Sequence, residues 1–233
     1  IMGFKNAIVF VHAGYRYNLL QLSSWMAAAA MESGFPVILV TDEKNREFAC
    51  GNIQFVSFED LSQAASVKIG KLKGCFVNDG PNADKFEFFC FQRFILIEQL
   101  MKEHCLDRIL HLDSDVLLYS NPLPFLQGSD ERACLIANAS TYFSTWTPSS
   151  VNIFNDFVLN DYFRGVWHDR YCDMGAIEEV VKRNPSVFRV NRDYFVPYGS
   201  CQRRDLSFRE FILRHFGERP EFREALVNGP ERL

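Results

Sequence analysis

Two aspartates separated by one residue stand near the middle of the chain, directly after a mainly apolar run. The run is Ile109–Leu112, and the aspartates are Asp113 and Asp115. Because residues two apart point to the same side of an extended chain, the two carboxylates can converge on one cation. Hard carboxylate oxygens suit Mg²⁺ or Mn²⁺, which keep open positions for phosphate oxygens. The pattern predicts a site for a metal diphosphate, and an aspartate-rich turn is the alternative.

The elements that would position these aspartates have the pattern of a parallel α/β sheet. Ala7–Val11 and Val37–Val40 are apolar runs rich in β-branched residues, and Tyr17–Glu32 between them has helical spacing. Strand, helix and strand in this order form a βαβ unit, whose two strands lie parallel. Open α/β sheets bind ligands at the carboxyl ends of their parallel strands. Asp113 and Asp115 follow a strand of this kind.

The same alternation continues along most of the chain. Strands are predicted at 53–58, 108–112 and 134–137, and helices at 85–105, 153–163 and 174–182. No linker rich in Pro, Gly or Ser interrupts the sequence, so we expect one α/β domain with a mixed, mostly parallel central sheet flanked by helices. Residues 1–185 would carry the site, and residues 186–233 would form a basic helical extension packed on the same domain.

Composition and charge exclude several classes of protein. Of the 233 residues, 48% are hydrophobic and 23% charged, which is typical of a folded domain. With 25 basic and 29 acidic residues the net charge is −4, so the chain lacks the basic excess of a nucleic-acid-binding protein. Seven cysteines without a C-x-x-C pair fit neither a disulfide framework nor a zinc ribbon. Because we find neither a signal-like segment nor an apolar run of about 20 residues, we expect a cytoplasmic protein.

The segment around the two aspartates resembles the D-x-D region of GT-A fold glycosyltransferases, which use nucleotide sugars. The similarity covers Arg108–Tyr119 and the Asn-Pro pair at 121–122. Arg93, which precedes Asp113 by 20 residues, is similar to a helix arginine of that family that contacts the donor sugar. The resemblance implies a GT-A fold with Mn²⁺ or Mg²⁺ held by Asp113 and Asp115.

Three further segments are similar to the same family. Val11–Tyr15 matches the loop that receives the nucleotide base, Thr41-Asp42 closes the second strand as in that fold, and Tyr171–Met174 resembles the acidic motif that faces the acceptor and the reacting sugar. The resemblance favours a UDP-sugar as the donor. It assigns the following residues to the nucleotide sugar: His12, Ala13, Tyr15, Asp42, Arg93, Asp113, Ser114 and Asp115.

The activity that the resemblance implies is metal-dependent hexosyl transfer from a nucleotide sugar to a hydroxyl group. The acceptor would be a glycan or a lipid-linked molecule, as in glycan or surface polysaccharide synthesis. Arg93 would hold sugar hydroxyls or the second aspartate. The alternative is a surface or core-lining arginine that pairs with Glu87 or another helix carboxylate. Asp173 would orient the acceptor hydroxyl or accept its proton, and it would also suit a helix N-cap.

The histidines leave the number of metal ligands open. His215 lies in a segment similar to the family's metal-binding H-x-x-G-x-x-K-P stretch, with compressed spacing. A capping box at Ser207–Glu210 and a glycine at position 217 predict instead a histidine in the last turn of a helix. The other four, His12, His104, His111 and His168, show no metal-ligand spacing, so their spacing gives no reason to expect that they bind a metal, and a structural role is the default.

The C-terminal part of the chain is locally basic. Between Lys182 and Arg219, nine basic residues stand against four acidic ones. Basic residues beside an anionic bilayer contribute about 1 kcal/mol each to binding. We therefore expect peripheral membrane contact through Arg203, Arg204 and their neighbours, and ordinary solvated helix faces are the alternative.

Two other enzyme classes and one class of binding protein share parts of these patterns. Haloacid-dehalogenase phosphatases also place D-x-D after an apolar strand, but near the start of the chain and with Thr or Val where this chain has Leu117. Sugar nucleotidyltransferases need a glycine-rich loop after the first strand, and residues 12–16 contain one glycine. A non-catalytic nucleotide-sugar or carbohydrate-binding module stays open, and turnover of the donor distinguishes it from an enzyme.

Overall fold

The computed structural model describes most of the N-terminal four fifths of the chain. The described residues are 6–14, 18–30, 36–49, 51–78, 82–114, 116, 118, 133–136, 140–165 and 172–191. Of the predicted site residues, Tyr15 and Asp115 lie outside these ranges. The predictions on His215 and on the arginines at 203 and 204 also lie outside them.

Within the described residues, seven strands form one sheet. They are β1 (Asn6–Val11), β2 (Val37–Thr41), β3 (Ile53–Ser57), β4 (Arg108–Leu112), β5 (Ala133–Ile136), β6 (Ser140–Trp146) and β7 (Phe188–Asn191). Their order across the sheet is β3-β2-β1-β4-β6-β5-β7. The first four strands of this order run parallel to one another. Strand β6 runs antiparallel to both β4 and β5, and β5 pairs with β7 in parallel.

Helices cover both faces of this sheet. They are α1 (Asn18–Ala30), α2 (Phe58–Ala64), α3 (Ser66–Cys75), α4 (Asp84–Glu103), α5 (Pro148–Asn160) and α6 (Asp173–Arg183), with 3₁₀ turns at Glu43–Phe48 and Tyr162–Arg164. The predicted βαβ unit at the start of the chain is confirmed, because β1 and β2 pair in parallel on either side of α1. The predicted fold class, a mixed α/β sheet with helices on its faces, is confirmed as well.

Side chains of the strands alternate between the two faces, and each face has its own hydrophobic core. Val9 and Ile109 pack with Phe94 of α4 on one face, whereas Phe10 and Leu110 pack with α1 on the other. All five side chains are fully buried. Burial of a side chain of this size contributes about 1.5–3 kcal/mol to stability, so the two cores hold the strand ends rigidly.

Helix α5 starts earlier than its apolar spacing predicts. It begins at Pro148 because Thr147 and Ser150 form a capping box, in which each side chain binds the backbone N–H of the other residue. Proline is favoured at the first helical position, where its missing N–H costs nothing. The helix ends at Asn160 and a 3₁₀ turn follows, so the predicted helix at 153–163 was displaced toward the C-terminus.

Candidate active site

A buried arginine on α4 joins two carboxylates from distant parts of the chain. Arg93 donates from Nη1 to Oδ1 of Asp113 and from Nη2 to Oδ2 of Asp173, both over 2.6 Å. Its Nη2 also lies 2.6 Å from Oγ1 of Thr141, which is 3.2 Å from Oδ2 of Asp173. The side chains of Arg93 and Asp173 are 8% exposed, whereas that of Asp113 is 29% exposed. We call these four residues the Arg93 cluster.

Each member of the Arg93 cluster comes from an element that the sheet places at one edge. Asp113 is the first residue after β4, at the carboxyl end of the parallel strands. Arg93 lies near the middle of α4, whose neighbouring Phe94 packs against Trp146 and Phe154 with ring centroids 5.1 and 4.8 Å apart. This aromatic packing fixes the helix against the sheet, so the guanidinium reaches the end of β4.

Asp173 opens α6, but it does not cap it. The N-cap is Cys172, whose sulfur accepts the N–H of Gly175 over 3.4 Å, so the predicted N-cap role of Asp173 is wrong. Oδ1 of Asp173 accepts the N–H of Met174 over 3.0 Å. The positive end of the helix dipole thus stabilises this carboxylate. The other oxygen, Oδ2, accepts from Arg93 and Thr141.

The alternative pairing of Arg93 with Glu87 is also wrong. Oε1 of Glu87 accepts a hydrogen bond from Nδ2 of Asn82 over 2.5 Å. Glu87 lies nearly two helical turns before Arg93, and side chains interact along a helix at spacings of three or four residues. The arginine therefore serves the site at the end of β4 rather than its own helix.

The pairing of β5 with β6 is irregular beside Thr141, whose hydroxyl belongs to this cluster. We call residues 141–143 of β6, which lie between the two paired positions, the bulge of β6. Leu135 of β5 lies opposite Ser144, whereas the next residue, Ile136, lies opposite Ser140, so the register shifts at this point. The carbonyl of Thr141 accepts hydrogen bonds from Nδ1 of His111 and from Oγ of Ser144, each over 3.1 Å. Bulges re-aim side chains beside active sites. Sequence reasoning missed Thr141, because a threonine in a short polar segment carries no periodic or charge signal.

Burial and neighbouring charges shift two pKa values at the site. Burial disfavours the charged form of Arg93, but the carboxylates of Asp173 and Asp113 outweigh it and raise the arginine pKa. Burial and the positive charge of Arg93 lower the pKa of His111 to about 3. Arg93 is therefore always charged, and His111 is neutral at physiological pH.

This histidine gives the fold a measurable pH dependence. Burial lowers its pKa from the ordinary value of 6.5 to about 3, so between these two pH values the unfolded chain binds a proton that the folded chain does not. The free energy of unfolding should then decrease with falling pH, by up to about 1.4 kcal/mol per pH unit from this residue. Urea denaturation at several pH values below neutrality, for wild type and His111→Phe, tests this. Equal pH slopes in the two proteins would contradict it.

The predicted nucleotide loop lies at the same edge of the sheet. Nδ1 of His12 is 3.1 Å from Oγ of Ser114, and the backbone carbonyl of Ser114 accepts from Oγ of Ser23 over 2.9 Å. The structure therefore ties the end of β1 to the turn that follows β4. Ala13 lies between His12 and Gly14 in this loop and is partly exposed.

Asp42 holds the turn of this loop closed. Its Oδ2 accepts the N–H of Gly14 over 2.7 Å, and Nζ of Lys44 donates to the carbonyl of Gly14 over 2.9 Å. Gly14 has a φ of +103°, which favours glycine because other residues pay a steric cost there. Lys44 was missed by sequence reasoning, since a single lysine after a strand has no distinctive pattern.

The described carboxylates fit a divalent cation only in part. Oδ2 of Asp113 has no hydrogen-bond partner among the described residues, and the carboxylate is partly exposed, so it can bind a hard cation. In the parts of the chain that the structure describes, no three His, Cys, Asp or Glu side chains stand close enough to hold a metal. The second predicted ligand, Asp115, lies outside those parts.

Other expectations from the sequence can be compared with the same residues. Among the cysteines of the described ranges, Cys75, Cys90, Cys105 and Cys172 are free thiols. None of the helices in the described ranges combines the length and the apolar character that a membrane span requires.

The fold has clear counterparts among solved structures, although no family model and no curated protein sequence matches the chain. Mouse xyloside xylosyltransferase 1 in its apo form matches with a TM-score of 0.55 and 12% identity, over 80% of this chain and 85% of that one. Galactosyltransferase LgtC in complex with donor and acceptor sugar analogs matches with a TM-score of 0.51 and 14% identity, over 79% and 72%. An active-site mutant of LgtC gives 0.50 and 15%, over 75% and 69%.

These similarities define the class of fold. The sheet and its helices have a GT-A type fold, which is the fold that the resemblance of the D-x-D region implies. At 12–15% identity these structures share the fold alone with this chain, and its chemistry depends on the Arg93 cluster.

Proposed function

We propose that this protein is a metal-dependent glycosyltransferase that uses a nucleoside diphosphate sugar, preferably a UDP-sugar, as its donor. The sugar is transferred to a hydroxyl group of a glycan or lipid-linked acceptor. The observation that carries the proposal is the Arg93 cluster, which stands at the carboxyl end of the parallel strands in a GT-A fold. Two carboxylates and a guanidinium are held there with 2.6 Å hydrogen bonds. Burying a charged group costs several kcal/mol. A functional role at the carboxyl end of the strands explains why the protein contains these charges despite that cost.

The charge of the site suits a metal diphosphate. Asp113 and Asp173 carry two negative charges against the single positive charge of Arg93. Asp115, two residues after Asp113, would add a third carboxylate, and the set would then balance a divalent cation. Asp113 and Asp115 would hold Mn²⁺ or Mg²⁺, which when bound acts as a Lewis acid toward the departing diphosphate.

Arg93 serves in this proposal as the holder of both carboxylates. Because Nη1 is bound to Asp113 and Nη2 to Asp173, the two acids cannot turn independently. The rigid fork of a guanidinium suits this task, since a lysine offers only one nitrogen. Its expected contact with donor sugar hydroxyls would use the second N–H of Nη1, because Nη2 already donates to Thr141 and Asp173 and Nε is buried.

Asp173 would face the reacting sugar and the acceptor. Its Oδ2 accepts from both Arg93 and Thr141, and its Oδ1 accepts from the N–H of Met174. Each carboxylate oxygen has about two acceptor positions, so one position on Oδ1 stays available for a substrate hydroxyl. There Asp173 would orient the acceptor hydroxyl or take its proton as transfer proceeds.

The loop after β1 would receive the nucleotide. His12, Ala13, Tyr15 and Asp42 are the residues we assign to the base and ribose, with Ser114 beside the diphosphate. The contacts of Asp42 and Lys44 with Gly14 fix the shape of this loop before any ligand binds. A loop held in this way loses less conformational entropy when it binds a nucleotide, which favours binding.

Metal dependence of nucleotide binding tests the donor site. UDP should bind with Mn²⁺ or Mg²⁺ and lose at least about tenfold in affinity in EDTA, or in Asp113→Asn, because a carboxylate ligand is lost. Calorimetry of UDP under both conditions measures this. Glu178→Gln, on the exposed side of α6, is the matched control and should bind like wild type. Equal affinities with metal and with EDTA would refute the metal assignment.

A further inference from the structure

His111 is the fully buried polar residue nearest in sequence to Asp113, and its two ring nitrogens have different surroundings. Nδ1 lies 3.1 Å from the carbonyl oxygen of Thr141. Since a carbonyl can only accept, Nδ1 carries the hydrogen, and in the neutral ring Nε2 then carries a lone pair. Nε2 has no hydrogen-bond partner in the described structure and lies 3.9 Å from Oδ1 of Asp113.

The hydrogen bond from Nδ1 acts on the bulge of β6. The carbonyl of Thr141 has two side-chain donors, His111 and Ser144. The hydroxyl of the same threonine lies 2.6 Å from Nη2 of Arg93 and 3.2 Å from Oδ2 of Asp173. A shift of the Thr141 backbone would therefore move the hydroxyl that lies between the arginine and the carboxylate.

Two buried side-chain nitrogens beside Asp113 have no hydrogen-bond partner within the described ranges. Nε of Arg93 is buried without a partner among the described residues, as is Nε2 of His111. A buried polar atom without a partner costs about 1–3 kcal/mol. A phenylalanine at position 111 would avoid this cost and keep the ring packing against Phe94, whose centroid is 5.9 Å away. Stability alone therefore does not explain a histidine here.

We infer that His111 is a positioning residue of the proposed transfer reaction: its Nδ1–H holds the bulge of β6, and the bulge holds the Thr141 hydroxyl between Arg93 and Asp173. His111 itself does not touch the substrate in this account. The inference rests on the proposed function for its effect on turnover, but the hydrogen bond and its effect on Arg93 are testable without any substrate.

Two substitutions separate positioning from packing. His111→Asn keeps an N–H donor close to the place of Nδ1, whereas His111→Phe keeps the ring and removes the donor. Ser144→Ala removes the other donor to the same carbonyl and serves as a comparison. Circular dichroism and urea denaturation first establish that each variant is folded.

The substrate-free readout is NMR. In protein labelled with ¹⁵N-histidine, the signal lost in His111→Asn identifies His111, and its nitrogen shifts should show a neutral ring with the hydrogen on Nδ1. The Nε–H signal of Arg93 should move in His111→Phe and stay near its wild-type position in His111→Asn. A hydrogen on Nε2, or an Arg93 signal that is unchanged in His111→Phe, would overturn the inference.

The kinetic readout uses turnover of the nucleotide sugar. His111→Phe should lower kcat by about 10- to 100-fold with little change in KM for the donor, because misplacing a site by about 1 Å costs up to about 100-fold. His111→Asn should recover most of this loss. Equal losses in both variants would mean a merely structural role. If the wild type shows no turnover, the proposed function fails while the NMR result still decides the role of His111.

Discussion

Replacement of Arg93 by alanine should cause the largest loss of any single substitution at this site. The guanidinium is buried and bound to two carboxylates, and its removal leaves Asp173 buried without a counter-charge. Breaking a buried ion pair in this way costs about 3–5 kcal/mol of stability. Urea denaturation at neutral pH measures the free energy of unfolding of the two proteins.

Arg93→Ala should also lower the activity of the protein that remains folded, for a reason separate from its lower stability. Without Arg93, neither Asp113 nor Asp173 is held in place, and a loss of electrostatic preorganisation of this kind lowers kcat by about 100-fold or more. Arg93→Lys keeps a positive charge but has one nitrogen for two carboxylates. It should recover much of the stability and little of the turnover. A lysine variant with wild-type turnover would show that charge alone suffices and that the fork has no role.

Asp173→Asn should have the second largest effect, and it should act mainly on turnover. Its loss of stability should be smaller than that of Arg93→Ala, because Arg93 keeps Asp113 as a counter-charge. The amide oxygen can still accept from Arg93 or from the N–H of Met174, so the fold and the helix start are expected to persist. Loss of the carboxylate should lower kcat by about 10²- to 10⁴-fold, which is the range of general base catalysis. Affinity for UDP should stay within about threefold, because Asp173 acts in the transition state.

Steady-state kinetics and UDP calorimetry on the same preparation separate these two effects. Glu178→Gln, further along α6, controls for loss of a carboxylate from that helix and should match wild type in both measurements. Since Cys172 caps α6, a purely structural role of Asp173 at the helix start would tolerate asparagine. Near wild-type turnover of Asp173→Asn would remove the residue from the reaction.

The parallel half of the fold could be predicted because its strands are short, apolar and buried on both sides. The runs at 7–11, 37–40 and 108–112 lie in β1, β2 and β4, and the long helix before β4 was also found. Strand β6 was missed because its sequence, Ser140–Trp146, alternates poorly and contains the bulge. Strand β7 was missed because its four residues, Phe188–Asn191, include an arginine and an asparagine. The equally short β5, by contrast, is an unbroken apolar run.

Charged residues of the site were found individually, but their arrangement was not. Asp113 could be proposed because it follows an apolar strand, and Asp173 because its segment resembles the acidic motif of the GT-A family. Asp113 lies 20 positions after Arg93 in the sequence and Asp173 lies 80 positions after it. No local sequence pattern encodes contacts over such separations. Thr141 and the donors to its carbonyl depend on a register shift between two strands, which only the folded sheet defines.

Metal-dependent turnover of a nucleotide sugar tests the central claim most directly. Wild type, Asp113→Asn, Asp173→Asn and Glu178→Gln would be incubated with a panel of UDP- and GDP-sugars, with Mn²⁺ or with EDTA, and the released nucleoside diphosphate measured by ion-exchange chromatography. We expect release from at least one sugar nucleotide by wild type and Glu178→Gln with Mn²⁺, and its loss in EDTA and in both aspartate variants. Binding of UDP without release from any nucleotide sugar, also in the presence of glycan acceptors, would contradict an enzyme and indicate a binding module.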